Sequence, residues 1–271
     1  MPRLRVQLSD LYDDEPAARA LAAAAGAHGV YVVNALAAGE GDGFVLRADG
    51  APRAVAWCGP RGNLVVVCES RYEAALTTAL LDGIERERLV WRIVMGPTPV
   101  VDGLRDRLPG KPLVHRDQLY FCGDRTLAAA LRGVAVRPAE AADRDGLVQA
   151  TLLLNQSDLN IQPARVDRRW LRDTVDERIR DGVTWVAGPP AGIWCKLDIG
   201  SDGPAGRVIE GVFTFAERRG QGLAAALVAA CLAVAPGQVT LHVSAQNHAA
   251  QRAYARAGMR PAGGCRLLLS G

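Results

Sequence analysis

The stretch that most constrains this chain is GVFTFAERRGQGLAAALVAACLAVA, beginning at Gly211. A β-rich run, a short polar turn with two glycines and a long apolar run follow one another without a spacer. Apolar β-branched and aromatic residues favour a strand. The alanine- and leucine-rich run favours a helix. Glycine lets the turn tighten and lets backbone approach a ligand closely. The first amides of a helix have no partners inside it and sit at the positive end of its dipole. Strand, glycine turn and helix in this order therefore make a cradle for phosphate. The turn is not GxxxxGK[ST], because no lysine follows, and it is not GxGxxG. By itself it suits a plain strand-to-helix connection equally well.

A second stretch, LHVSAQNHAAQRAYARAGM, lies downstream. Asn247 stands where a helix should begin and is a strong N-cap type. Ala250 and Tyr254 follow along one helical stripe. Gly258 ends the helix as a C′ glycine does. A tyrosine hydroxyl can donate a proton, with a reference pKa of about 10. Read singly, these residues also fit an ordinary cap and ordinary amphipathic packing.

Together the two stretches resemble the GNAT superfamily of N-acetyltransferases. That pattern runs strand, [RQ]xxGx[GA] and helix, then a further strand, an Asn, a small residue and Tyr on the next helix, Gly and an apolar residue. Here the residues are Arg219, Gly220, Gln221, Gly222, Leu223 and Ala224, then Asn247, Ala250, Tyr254, Gly258 and Met259. The run VAVRPAEAADRDGL is similar to the family's first strand and helix, so the resemblance spans Val134 to Leu269. WCKLDIG followed by IEGVFTFAERRGQGLA resembles a bacterial group in which a GNAT-like half precedes the working domain. Ala216 stands where that group often has proline, and Met259 replaces the commoner Phe.

The resemblance implies an α/β (α+β) chain with a mixed, mostly antiparallel central sheet flanked by helices, in two GNAT-like units. Residues 1–132 form a degenerate, non-catalytic unit without the glycine turn, and residues 133–271 the acetyltransferase domain. The implied co-substrate is acetyl-CoA, or another acyl-CoA, with no metal. Arg219 to Ala224 hold its pyrophosphate, and Val212, Phe213 and Thr214 pair with the pantetheine arm like an added strand. Asn247 and Ala250 complete the cofactor contacts, and Tyr254 touches the cofactor and protonates the leaving thiolate. Glu210, on the strand leading into the turn, is the first candidate for general base, and Asp198 the second. Asp158 and Asn160 fall in the acceptor loop. Glu217 and Arg218 form the lip of the turn, and His242 and His248 are read as structural.

The implied activity is acyl transfer to the amine of a small molecule by direct attack in a ternary complex. A non-catalytic acyl-CoA-binding or regulatory module is the alternative, as is a GNAT-fold enzyme that uses aminoacyl-tRNA or decarboxylates an acyl-CoA.

Periodicity places the remaining elements. Helices are expected at Glu15–Ala27, Tyr72–Ile84, Val100–Leu108, from Asp143, and at Pro163–Asp181. Strands are expected at Gly43–Asp49, Arg53–Gly59 and Leu64–Ser70 as an antiparallel meander, then at VWRIVMG and LVHRDQLYFCGD. The second half reads βααβββαβαβ, with a strand at Arg207–Phe215, a helix at Gly222–Ala235, a strand at Gln238–Ser244 and a helix at Asn247–Ala257, and the first half repeats part of that order. A boundary is expected around Leu127–Gly133.

Composition narrows the class. Of 271 residues, 49% are apolar and 23% charged, which argues against disorder. No run suits a membrane span, and the N-terminus has no apolar leader. The net charge of +3 is too balanced to indicate a nucleic-acid binder, with tRNA left open. The six cysteines are scattered singly, which argues against a zinc ribbon and for a reducing, cytoplasmic setting. The oligomeric state is open, a homodimer included.

Overall fold

The computed structural model describes residues 5–69, 74–129 and 133–271. Ser70 and Tyr72, at the expected ends of a strand and a helix, lie outside the described residues, as do residues 130–132 of the expected boundary.

The chain carries one element order twice. The first pass is β1 (Val6–Asp10), α1 (Glu15–Ala24), α2 (Val30–Ala37), β2 (Asp42–Ala48), β3 (Ala51–Cys58), β4 (Asn63–Cys68), α3 (Ala74–Arg86), β5 (Ile93–Gly96), α4 (Thr98–Arg107) and β6 (Val114–Gly123). The second is β7 (Val136–Pro138), α5 (Arg144–Leu159), α6 (Arg168–Arg180), β8 (Thr184–Ala187), β9 (Cys195–Gly203), β10 (Gly206–Thr214), α7 (Leu223–Val234), β11 (Val239–Ser244), α8 (His248–Ala257) and β12 (Arg260–Leu269). Sequence reading missed β1 and α2. VYVVNALA is rich in β-branched residues, which favour strands in isolation. It is a helix because most of its side chains are buried in the core of α1, β3 and β4. Asn34, buried on that helix, accepts from the Ala205 amide at 3.0 Å through its side-chain oxygen.

Packing divides the chain into two compact units. One holds residues 1–120, 203–205 and 262–271, and the other residues 121–202 and 206–261. The expected break at 132/133 follows the sequence punctuation, whereas this division places most of β12 with the first unit.

In the first unit β1, β2, β3 and β4 are consecutive antiparallel strands. β5 then pairs in parallel with β4, and β12 pairs antiparallel with β5. Phe44, Leu46, Leu64, Val66, Leu80 and Val94 form the core on the α3 and α4 side. The Val66 carbonyl faces β5, where the next ladder donor is Pro97, which has no N–H. His28 takes its place: Nε2 donates to Val66 O at 2.8 Å, and Nδ1 accepts from the Tyr120 hydroxyl at 2.7 Å.

That arrangement needs a neutral ring. Burial lowers the His28 pKa from its ordinary 6.5, although the Val66 bond acts the other way. The folded state therefore binds this proton less readily than the unfolded chain. The His28 contribution to stability is complete above about pH 6.5 and is lost as pH falls toward the depressed folded value. We expect His28→Gln to flatten the loss of melting temperature between neutral pH and pH 5. An unchanged slope overturns that assignment.

In the second unit the strand order is β11-β10-β9-β8-β7. β7, β8 and β9 are antiparallel neighbours, and β10 and β11 are parallel. Leu147, Leu152, Leu171, Val175 and Val186 pack α5 and α6 on one face. Pro163 opens a separate 3₁₀ turn rather than the expected long helix. α6 begins later because the Asp167 side chain accepts from the Arg169 and Trp170 amides and caps it there. Each unit is thus built on a mixed, mostly antiparallel open sheet flanked by helices.

Candidate functional site

The glycine turn folds as its residue types require. Gly220 and Gly222 have φ of 78° and 77°, the left-handed region that side chains disfavour. Gly222 is the N-cap of α7 and offers no capping side chain, so the first amides of α7 remain available to a ligand. A Cβ at Gly220 would meet nothing within 4 Å, so that side of the turn is open. A Cβ at Gly222 would lie 3.5 Å from Arg256 Nη1. Arg256 is exposed near the end of α8 and brings a positive charge to the turn. Sequence reading passed over it, although its place two residues after Tyr254 was visible.

Arg219 folds back, its Nε donating to Thr214 O at 3.2 Å. Gln221 is exposed, Leu223 is buried under the helix start and Ala224 is half-buried. Arg218 is not a bare lip residue, because its guanidinium stacks 4.6 Å over the Trp194 ring. Glu217 is exposed.

Beside the turn, two parallel strands part. β10 and β11 pair at Arg207–Val239 and Val208–Thr240, then continue to Thr214 and Ser244. At Gly211, with φ of 62°, β10 departs from extended geometry. Phe215 donates its amide to Trp194 O at 3.1 Å, toward β9. Alternation then turns the Val212 and Thr214 main-chain groups to the β11 side, into the gap. Phe213 is buried and its ring meets Phe215 edge-on at 5.4 Å between centroids.

Tyr254 lies in the same unit and is 5% exposed. Its ring meets Phe121 edge-on, with centroids 5.9 Å apart. Its hydroxyl has no hydrogen-bond partner among the described residues. Burial pushes its pKa above the ordinary phenol value, and the nearby Cys195 and Asp158 push the same way. Cys195 accepts from the Thr214 hydroxyl at 3.1 Å, and burial raises its thiol to about 11. Asn247 caps α8 through its side-chain oxygen, which accepts from the Ala250 amide at 3.1 Å. The β11–α8 corner is held by Gln251, which donates to Ser244 O and Ala245 O.

Both proposed bases are already paired. Arg178, on α6, bridges Glu210 Oε1 at 2.8 Å and Asp198 Oδ2 at 2.7 Å. Asp198 is 2% exposed and also takes the Lys196 ammonium and the Thr184 hydroxyl. Burial raises its pKa, but Lys196 and Arg178 outweigh burial and hold it below the ordinary carboxylate value. Glu210 keeps 39% of its side chain exposed. Asn160 ends α5 in the left-handed conformation, and Asp158 is half-buried just before it. His242 is half-buried on β11, and His248 is exposed. Among the described residues no group of three His, Cys, Asp or Glu could hold a metal ion, and no helix is long and apolar enough to cross a membrane.

The bare helix start, the gap between parting parallel strands and the Tyr254 ring share one α/β unit. Residues 181–259 match the model of the acetyltransferase (GNAT) family. No curated protein sequence matches it.

Solved structures agree in fold. A GCN5-related N-acetyltransferase from Sphaerobacter thermophilus is similar with a TM-score of 0.61 at 17% identity, over 99% of this chain and 95% of that one. A GNAT-family acetyltransferase from Colwellia psychrerythraea is similar with a TM-score of 0.54 at 12% identity, over 98% and 99%. A tandem GNAT protein from the clavulanic acid biosynthesis pathway is similar with a TM-score of 0.51 at 14% identity, over 97% and 98%. At these identities the likeness is one of fold, and the fold is GNAT.

Proposed function

We propose that this protein is an acyl-CoA-dependent N-acyltransferase that moves an acetyl group from acetyl-CoA to the amine of a small molecule in a ternary complex. The observation that carries this reading is Tyr254, 5% exposed as a residue, whose hydroxyl has no hydrogen-bond partner among the described residues, in the unit that holds the glycine turn and the parted strands. A phenolic O–H that no protein acceptor takes up is free to donate to a ligand.

The residues present fit the cofactor. The amides from Gly220 to Ala224 and the adjacent Arg256 guanidinium suit a pyrophosphate, whereas the Arg219 amide already donates to Ala216 O. The Val212 and Thr214 main-chain groups suit an extended amide-bearing arm. When bound, acyl-CoA supplies an acyl group activated as a thioester. Tyr254 holds a proton on its phenolic oxygen, retained at any ordinary pH because burial raises its pKa. Glu210 can accept the amine proton at Oε2, since Arg178 binds its other oxygen. Six free thiols fit a reducing, cytoplasmic setting.

A second reading rests on the same ion pairs. With Asp198 and Glu210 both held by Arg178, the domain could bind acyl-CoA without turnover. Calorimetric titration with CoA and acetyl-CoA, followed by a thiol-release screen over an amine library, separates the readings. Saturable binding with amine-dependent thiol release supports the transferase. Binding without release supports the binding module. No saturable binding of either compound overturns both.

A further inference from the structure

The buried Lys196–Asp198 pair takes no part in the proposed chemistry. Lys196 and Asp198 are 3% and 2% exposed, and Arg178 and Thr184 complete the shell around the Asp198 carboxylate. Buried ion clusters of this kind are weak sources of stability, because desolvation offsets their attraction. Their geometric effect is the better candidate for what this one does.

The cluster lies directly against Gly211. A Cβ there would stand 2.5 Å from Asp198 Oδ2 and 3.0 Å from Lys196 Nζ. Only a glycine fits, and it adopts φ of 62°. The consequence appears on either side of it. Glu210 reaches Arg178 on α6, whereas Thr214 reaches Cys195 and Arg207 reaches Cys231 on α7. In an unbroken strand, positions 210 and 214 would share a face, and 207 would oppose them. Here 207 and 214 point one way and 210 the other, so the strand slips by one residue at Gly211. That slip directs the Val212 and Thr214 amides into the gap beside β11.

We propose that Lys196, Asp198 and Arg178 are positioning residues that clamp the Gly211 kink, so that the amides of β10 face an acyl carbonyl bound in the gap. The inference rests on the acyl-CoA reading above. Its readout is the carbonyl itself, because an amide donor lowers the stretching frequency of the carbonyl it bonds.

The experiment is isotope-edited infrared difference spectroscopy of [1-¹³C]acetyl-CoA on the full chain, beside calorimetry with CoA. Wild type is expected to shift the thioester carbonyl band to lower frequency. Lys196→Met leaves Asp198 with Arg178 and Thr184, and is expected to lose most of that shift with its Kd for CoA unchanged. Arg178→Lys is expected to keep more of the shift than Arg178→Met, since one ion pair survives. A full wild-type shift in Lys196→Met and Arg178→Met overturns the proposal. So does parallel loss of the shift and of CoA affinity, which marks general damage. If Lys196→Met does not melt cooperatively, the Arg178 pair decides. A wild type that binds no CoA sinks the acyl-CoA reading instead, and this inference falls with it.

Discussion

Tyr254→Phe is expected to reduce acyl transfer by ~10²–10⁴-fold, the usual contribution of a positioned general acid. The affinity for CoA and the melting temperature are expected to hold. The reason is local. The Tyr254 ring is 5% exposed and packed edge-on against Phe121, and phenylalanine keeps both the volume and that contact. The hydroxyl has no partner among the described residues, so its removal orphans nothing. Turnover and stability should therefore separate cleanly in this variant.

The pH dependence follows from the direction of the shift. Burial, reinforced by Cys195 and Asp158, raises the Tyr254 pKa above its ordinary 10.0, so the acid form persists through the alkaline range. Wild-type activity should show no tyrosine-linked decline near pH 10. Turnover undiminished in Tyr254→Phe removes Tyr254 as the acid. A large fall in melting temperature would instead assign the hydroxyl to the fold.

Gly222→Val is expected to weaken CoA binding by roughly 10- to 100-fold. The position has φ of 77° and sits at the N-cap of α7. A β-branched residue held in that region costs of order 1–3 kcal/mol, and the turn can relieve the strain only by moving the amides that face the ligand. At 1.4 kcal/mol per tenfold change, that range gives the stated loss. Steric collision adds little, because the nearest atom to a Cβ is Arg256 Nη1 at 3.5 Å, an ordinary contact. The variant should still melt cooperatively, since the rest of α7 is buried in the core. Calorimetry with CoA is the measurement. A Kd equal to that of wild type would remove this turn from the phosphate site.

The elements that bear the site were the easiest to read. β10, α7, β11 and α8 end within a residue or two of their expected bounds, because each is bounded by its own punctuation. The two glycines start α7, Asn247 caps α8 and Gly258 closes it with φ of 106°. α2 and the start of α6 were harder. The first is helical against its β-branched composition because its face is buried in a core, and the second waits for Asp167 rather than Pro163. Candidate residues divided in the same way. Arg219 to Ala224, Asn247 and Tyr254 sit on local motifs and were visible as such. The capture of Glu210 and Asp198 by Arg178, and the approach of Arg256 to Gly222, join residues far apart in the chain, and no local pattern announces them.

By itself the sequence determined the strand–turn–helix that offers bare amides and the capped helix that carries Tyr254, because turn, cap and helix chemistry act within a few residues. Only the tertiary structure decided which charges are paired, which way the β10 amides face after Gly211, and that β12, the last strand, pairs with β5. Those outcomes depend on burial and on strand pairing between distant segments. There a single left-handed residue reverses a face, and a single arginine occupies a carboxylate that composition leaves free.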